Sequence, residues 1–196
     1  MGKTLTTYLV LLRGINVGGK NKVPMAELKA LLTELGFRDV RTYIQSGNAI
    51  LRSELTAETI ARKIENALPQ RFKLDTELIR VLVLSRAELE AAIEARPKGF
   101  GDKPGTYHSD AIFLMGVDTA AAMPAFSPRE GVDTVWPGNG LVYSQRVSTQ
   151  RTKSRLNRIM SSPVYKSMTI RSWQTTMALM DLVKAVDDGT ADGGSE

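Results

Sequence analysis

The chain has 196 residues, a formal net charge of +5, a single histidine and no cysteine. That length can bury the core of one large domain or two small ones, and the lack of cysteine excludes a disulfide framework, a thiol nucleophile and a thiolate metal site. No apolar run reaches membrane-spanning length and the N-terminus has no leader-like pattern, so a cytoplasmic protein is expected.

Thr6–Leu12 is an apolar, β-rich run that ends at the glycine- and asparagine-rich stretch Arg13–Lys22. Pro24 suits the first position of a helix, and Met25, Leu28, Leu32 and Leu35 then recur at helical spacing. Gly36 supplies a left-handed C-cap, and Phe37 can fold back on the last turn. Val40–Gln45 alternates as a strand, and Ser46-Gly47 turns it into Asn48–Arg52, which makes a hairpin. Thr56 caps a second helix with Ile60, Ile64 and Leu68 on one face, and Leu78–Leu84 is the next strand. The order is β-α-β-β-α-β, the ferredoxin-like arrangement.

Ser85 and Glu88 form a capping box that opens a third helix. After a Gly/Pro-rich loop the same order is predicted again. It comprises a strand at Ala111–Met115, a Pro-interrupted helix at Thr119–Phe126, a hairpin of Val132–Trp136 with Leu141–Val147, a basic helix near Thr152–Met160 and a strand at Met168–Arg171. The fold class expected is therefore α+β, with two ferredoxin-like (βαββαβ) repeats of antiparallel sheet and helices packed into one unit. Its divisions are a first subdomain over residues 1–84, a connecting helix and loop over 85–109, and a second subdomain over 110–172. A C-terminal helix over 173–186 and a disordered acidic tail over 187–196 complete it.

The order of elements has a functional consequence. A right-handed crossover makes the first two strands parallel, so the loop leaving the first and the turn leaving the second lie at one end of the sheet. Residues far apart in sequence then form one candidate pocket: Arg13, Gly14, Asn16, Gly18, Gly19 and Lys22 from the loop, with Gln45, Ser46, Gly47 and Asn48 from the turn. Cations, amides and free N–H groups before a helix favour an anion, so a phosphorylated small molecule is the expected ligand. The loop is neither a Walker A sequence nor a Gly-x-Gly-x-x-Gly fingerprint. Glycine turns and asparagine caps would account for the same residues without any ligand.

Lys153, Arg155 and Arg171 are added to the candidate set, because residues 134–180 carry seven cations and no acid before the last helix. Such a basic face also fits two alternatives, a nucleic-acid-binding module and a protein-interaction module with an acidic partner. In the former, Tyr8 and Tyr43 would share a sheet face for base stacking. Trp136 and Trp173 read as core anchors. A metal site or a Ser-His-Asp triad would have to use His108, here read as a loop residue, and neither metal nor cofactor is expected. No catalytic residue can be named.

The run Leu12-Arg13-Gly14-Ile15-Asn16-Val17-Gly18-Gly19, then Lys22, Met25 and Leu28, with Tyr43-Ile44-Gln45-Ser46-Gly47-Asn48, resembles the signature of the bacterial domain-of-unknown-function family 1697. Tyr165 and Met168–Thr175 are similar to that family's closing motif, with Ser172 and Gln174 in place of two asparagines. The resemblance implies a conserved bacterial protein of two ferredoxin-like repeats and brings no activity with it.

Overall fold

The computed structural model describes residues 4–189. Their strands form two four-stranded antiparallel sheets with helices, an α+β fold. The chain divides into two compact units, one running to Glu90 and resuming at Ala178, the other spanning Ala91–Met177.

In the first unit, β1 (Thr6–Leu12), α1 (Met25–Glu34), β2 (Arg38–Tyr43), β3 (Asn48–Ser53), α2 (Ala57–Arg71) and β4 (Val81–Ser85) follow in the expected order. The sheet order is β2-β3-β1-β4, with β3 antiparallel to both β1 and β2. β1 and β2 therefore run parallel, as a helical crossover requires.

Local chemistry explains the boundaries. Gly36, at φ +86°, ends α1 with paired bonds, Gly36 N to Thr33 O and Phe37 N to Leu32 O, and Phe37 turns into the core. Pro24 stands just before α1 as its N-cap rather than inside the first turn. Thr56 Oγ1 accepts from Thr59 N at the start of α2, and Ser85 and Glu88 exchange the two bonds of a capping box. β4 begins three residues later than Leu78, which lies exposed in the preceding loop.

Val10, Leu12, Ala49 and Leu51 point from the sheet onto Leu28 and Leu32 of α1 and Ile60, Ile64 and Leu68 of α2. Each such fully buried aliphatic side chain contributes about 1.5–3 kcal/mol. The same core also fixes the strand register, because a one-residue slip would turn these side chains to the other face.

The second unit has β5 (Tyr107–Leu114), the short α4 (Thr119–Ala122), β6 (Asp133–Pro137), β7 (Leu141–Val147) and β8 (Met168–Ser172) in the order β6-β7-β5-β8, the same arrangement again. α3 (Arg86–Glu94) and α5 (Trp173–Asp187) each begin in one unit and end in the other.

The basic helix expected near Thr152–Met160 does not form. Three 3₁₀ segments, Ser148–Lys153, Leu156–Ser161 and Pro163–Ser167, fill the crossover instead. Asp133 Oδ2 takes Arg155 N at 2.8 Å and Arg129 N at 3.0 Å, and Ser154 Oγ takes Leu156 N, so side chains claim the amides a helix would use. β5 starts at Tyr107, four residues before the predicted Ala111, which makes His108 a strand residue. α5 extends one residue past the predicted 186, because Thr7 and Arg86 hold Asp187 in its last turn. The rest of the predicted tail, from residue 190, lies outside the described residues.

Phe100 is fully buried against the edges of Trp136, Tyr143 and Trp173, with centroids 5.9, 5.2 and 5.0 Å away, and pins the loop before β5. Trp173 is buried and Trp136 half-buried in this cluster, as core anchors should be.

Candidate functional site

The loop after β1 and the turn after β2 meet. Leu12 N donates to Gly47 O at 2.8 Å, and Asn16 Nδ2 donates to Gln45 O at 2.9 Å. The β1–β3 register, with Leu11 opposite Asn48, is what brings them to one sheet end.

Asn16 stands at the centre of this contact. Its amide also donates to Val23 O and accepts from Val23 N at 2.8 Å, while its backbone takes a left-handed φ of +56° that asparagine tolerates. With three bonds already made, its side chain acts as the clasp of the two segments. Asn48 is fully buried, and both amide hydrogens are committed, to Tyr43 O and Ser46 Oγ. Gly47, also buried, sits against Ile15 and Leu12 so closely that a Cβ would lie 2.9 Å from Ile15. Its missing side chain makes room for the core. Gly18 and Gly19, at φ +58° and +77°, form the tip of a tight hairpin turn closed by Lys20 N to Val17 O.

The groups facing outward are fewer. Lys22, Gln45 and Gly14 are exposed, and Arg13 and Ser46 half-exposed. Lys20 is exposed beside them.

Tertiary structure adds three residues that the motifs did not single out. Asn21 is buried and ties the loop down, donating through Nδ2 to Gly14 O and accepting Asp75 N on Oδ1. Asp75 Oδ2 in turn accepts Asn21 N at 2.6 Å, which brings a carboxylate to a loop whose own sequence has none. Ile44 adopts φ +47° while half exposed. A β-branched side chain in that region is strained. Asparagine propensity for turns could have flagged Asn21; nothing local marks Asp75.

Lys153, Arg155 and Arg171 belong to the second unit. Lys153, at the end of the first 3₁₀ segment, and Arg155, just before the second, are exposed, and Lys153 O accepts from Arg129 Nη1. Arg171 is buried on β8, where its guanidinium donates to Thr169 Oγ1 and Ile170 O and burial lowers its pKa to about 10. His108 Nε2 stands 3.1 Å from Asp110 Oδ1, and burial pushes the Asp110 carboxyl up against the pull of His108 and Arg146. Among the described residues no cluster of His, Asp and Glu could hold a metal ion, and no helix is long and apolar enough to cross a membrane.

Tyr8 and Tyr43 do not share a sheet face. Tyr43 pairs with Asn48, which pairs with Leu11, whereas Tyr8 packs on the helical side with its hydroxyl on Leu55 O. The alternation of β1 separates them, and the stacking platform expected from the sequence is lost.

The family model described as a protein of unknown function, DUF1697, matches residues 5–143. The chain belongs to DUF1697. The match takes in both the Arg13–Lys22 loop and the Gln45–Asn48 turn and ends within β7, before the C-terminal motif. A solved structure, the conserved bacterial protein SP0830 from Streptococcus pneumoniae, is similar to this DUF1697 chain at 26% identity. That likeness covers 92% of this chain and 99% of that one, with a TM-score of 0.77. No curated protein matches.

Proposed function

We propose that this DUF1697 protein binds a small anionic, phosphorylated ligand where the Arg13–Lys22 loop meets the Gln45–Asn48 turn. The observation that carries the reading is the strained Ile44 inside a turn clasped by Asn16. Strain of this kind costs on the order of 1–3 kcal/mol and persists where a site needs it. Burial does not repay it, since Ile44 is 50% exposed. Arg13 and Lys22 supply charge, Gln45 and Ser46 supply hydrogen bonds, and the backbone at Gly14 allows close approach. Asn16, Gly47 and Asn48 shape the pocket rather than touch the ligand.

Melting temperature measured against a panel of sugar phosphates and nucleotides tests this. A rise for the wild-type protein that Arg13→Gln reduces supports it. No rise with any member, or an equal rise in the variant, sinks it.

A second reading, nucleic-acid binding, draws on the exposed Arg151, Lys153, Arg155 and Arg158, none of which is ion-paired among the described residues. It predicts RNA affinity that falls with added salt. Affinity indifferent to salt, or to removal of these four charges, removes it.

A further inference from the structure

The C-terminal motif, which the proposed ligand site does not use, ends where β8 passes into α5. There Ser172, Trp173 and Gln174, with Gly101, Pro104 and Tyr107, line a small pocket of about 50 Å³ within the second unit. A single water needs about 10–15 Å³ of such space, so the pocket has room for one small polar group.

Trp173 supplies the decisive atom. The residue is 6% exposed, and a buried indole N–H ordinarily has a partner. Its Nε1–H has none among the described residues. Nor is the atom sealed, since the fully enclosed orphans among the described side chains are Arg52 Nε, Asp133 Oδ1 and Arg146 Nε. The pyrrole edge faces the pocket wall at Gly101, where an added Cβ would stand 2.2 Å from Cδ1 and 2.5 Å from Nε1. The donor therefore opens on the pocket.

Neighbouring polar groups are already matched. Ser109 Oγ donates to Gln145 Oε1 at 3.1 Å, and Gly101 N donates to the same oxygen at 3.5 Å. Ser172 Oγ accepts Thr175 N at 3.1 Å and so caps α5. Gln174, exposed where it lines the pocket, brings a second side-chain donor.

The charge of an occupant follows from the surroundings. α5 is 15 residues long, and the first-turn amides and positive dipole end of such a helix favour an anion. The lining residues include no lysine, arginine, aspartate or glutamate, and His108 among them is engaged by Asp110 Oδ1 at 3.1 Å. Without a cation beside it, a doubly charged phosphate has no counter-charge there, whereas a singly charged group is matched by neutral donors. We infer that the pocket at the start of α5 binds the carboxylate of a small acid, with Trp173 Nε1–H as its buried donor. Pro104, Tyr107 and the Trp173 ring give a short apolar stem a surface to pack on.

The test is nuclear magnetic resonance titration of the full chain with propionate, following the indole N–H signals. The chain has two tryptophans, so Trp136→Phe assigns the signal of Trp173. Propionate should move that signal to a saturating value. Propionamide, of the same shape without the charge, should bind about tenfold more weakly. Gln174→Ala, at an exposed position that leaves folding intact, should weaken propionate binding about threefold or more. A peptide with a free C-terminal carboxylate that binds more tightly than propionate would identify the source as a chain terminus, and weaker binding would identify a free acid. No saturating shift, equal affinity for propionamide, tighter binding of inorganic phosphate, or unaltered affinity in Gln174→Ala would overturn the inference.

Discussion

Asn16 donates from Nδ2 to the carbonyl oxygen of Gln45, 29 residues away, at 2.9 Å. That bond, with the two to Val23, holds the loop after β1 against the turn after β2. Removing the side chain should therefore act on stability as well as on any ligand. Asn16→Gly keeps the left-handed backbone accessible but deletes three hydrogen bonds, and should cost about 2–4 kcal/mol. Asn16→Ala adds backbone strain and should cost more. Urea unfolding of both variants measures the difference; equal stability of Asn16→Gly and wild type would show that the clasp does no mechanical work.

Ile44 makes the opposite prediction. Glycine at that position relieves a φ of +47° and gives up only a half-exposed side chain. Ile44→Gly should leave the protein as stable as wild type or more stable by up to about 1 kcal/mol, and should weaken binding of the loop-and-turn ligand. A stability loss above that size, read from the same urea curves, would mean that Ile44 is placed by packing.

Gly101 has no such freedom. At φ +78°, a Cβ there would stand 2.2 Å from Trp173 Cδ1. Gly101→Ala should destabilise the second unit by roughly 2–4 kcal/mol, with loss of tryptophan near-ultraviolet dichroism as the Phe100 cluster loosens. Retention of that signal at wild-type stability would contradict the packing described for this loop.

Asp133 sets an acid limit. Burial by itself would raise its pKa, but N–H donation from Arg155 and Arg129, the Ser154 hydroxyl and the charge of Arg146 together hold it below the ordinary carboxylate value. A lowered folded pKa gives stability that is complete above the unfolded carboxylate value, about 4, and that is lost as pH falls towards the folded value. Melting temperature should drop on acidification below about pH 4, and less steeply in Asp133→Asn. Parallel curves for the two proteins would remove Asp133 from the account.

Sequence alone went far with the first unit. The spacing of Leu28, Leu32, Ile60 and Ile64, the Gly36 cap, the Thr56 cap and the Ser85–Glu88 box are local signals, and each reappears as geometry. It went less far with the crossover from β7 to β8, where a basic helix is expected near Thr152–Met160 and none forms. Asp133, on another strand, decided otherwise by claiming backbone amides. Tyr8 and Tyr43 fell on opposite faces for a similar reason, since relative parity between strands is set by register and not by either strand alone.

The candidate site divides along the same line. The glycine and asparagine motifs, together with the βαββαβ order, determine that loop and turn must meet, because right-handed crossovers leave one arrangement. Which residues serve the fold and which face a ligand was decided only by burial and hydrogen-bond partners. Asn48 and Gly47 went inward, Asn16 became a clasp, and Asp75 gained its meaning from a neighbour distant in sequence. A hydrogen bond or a charge pair depends on distances of a few ångströms, and those exist only once the strands are in register.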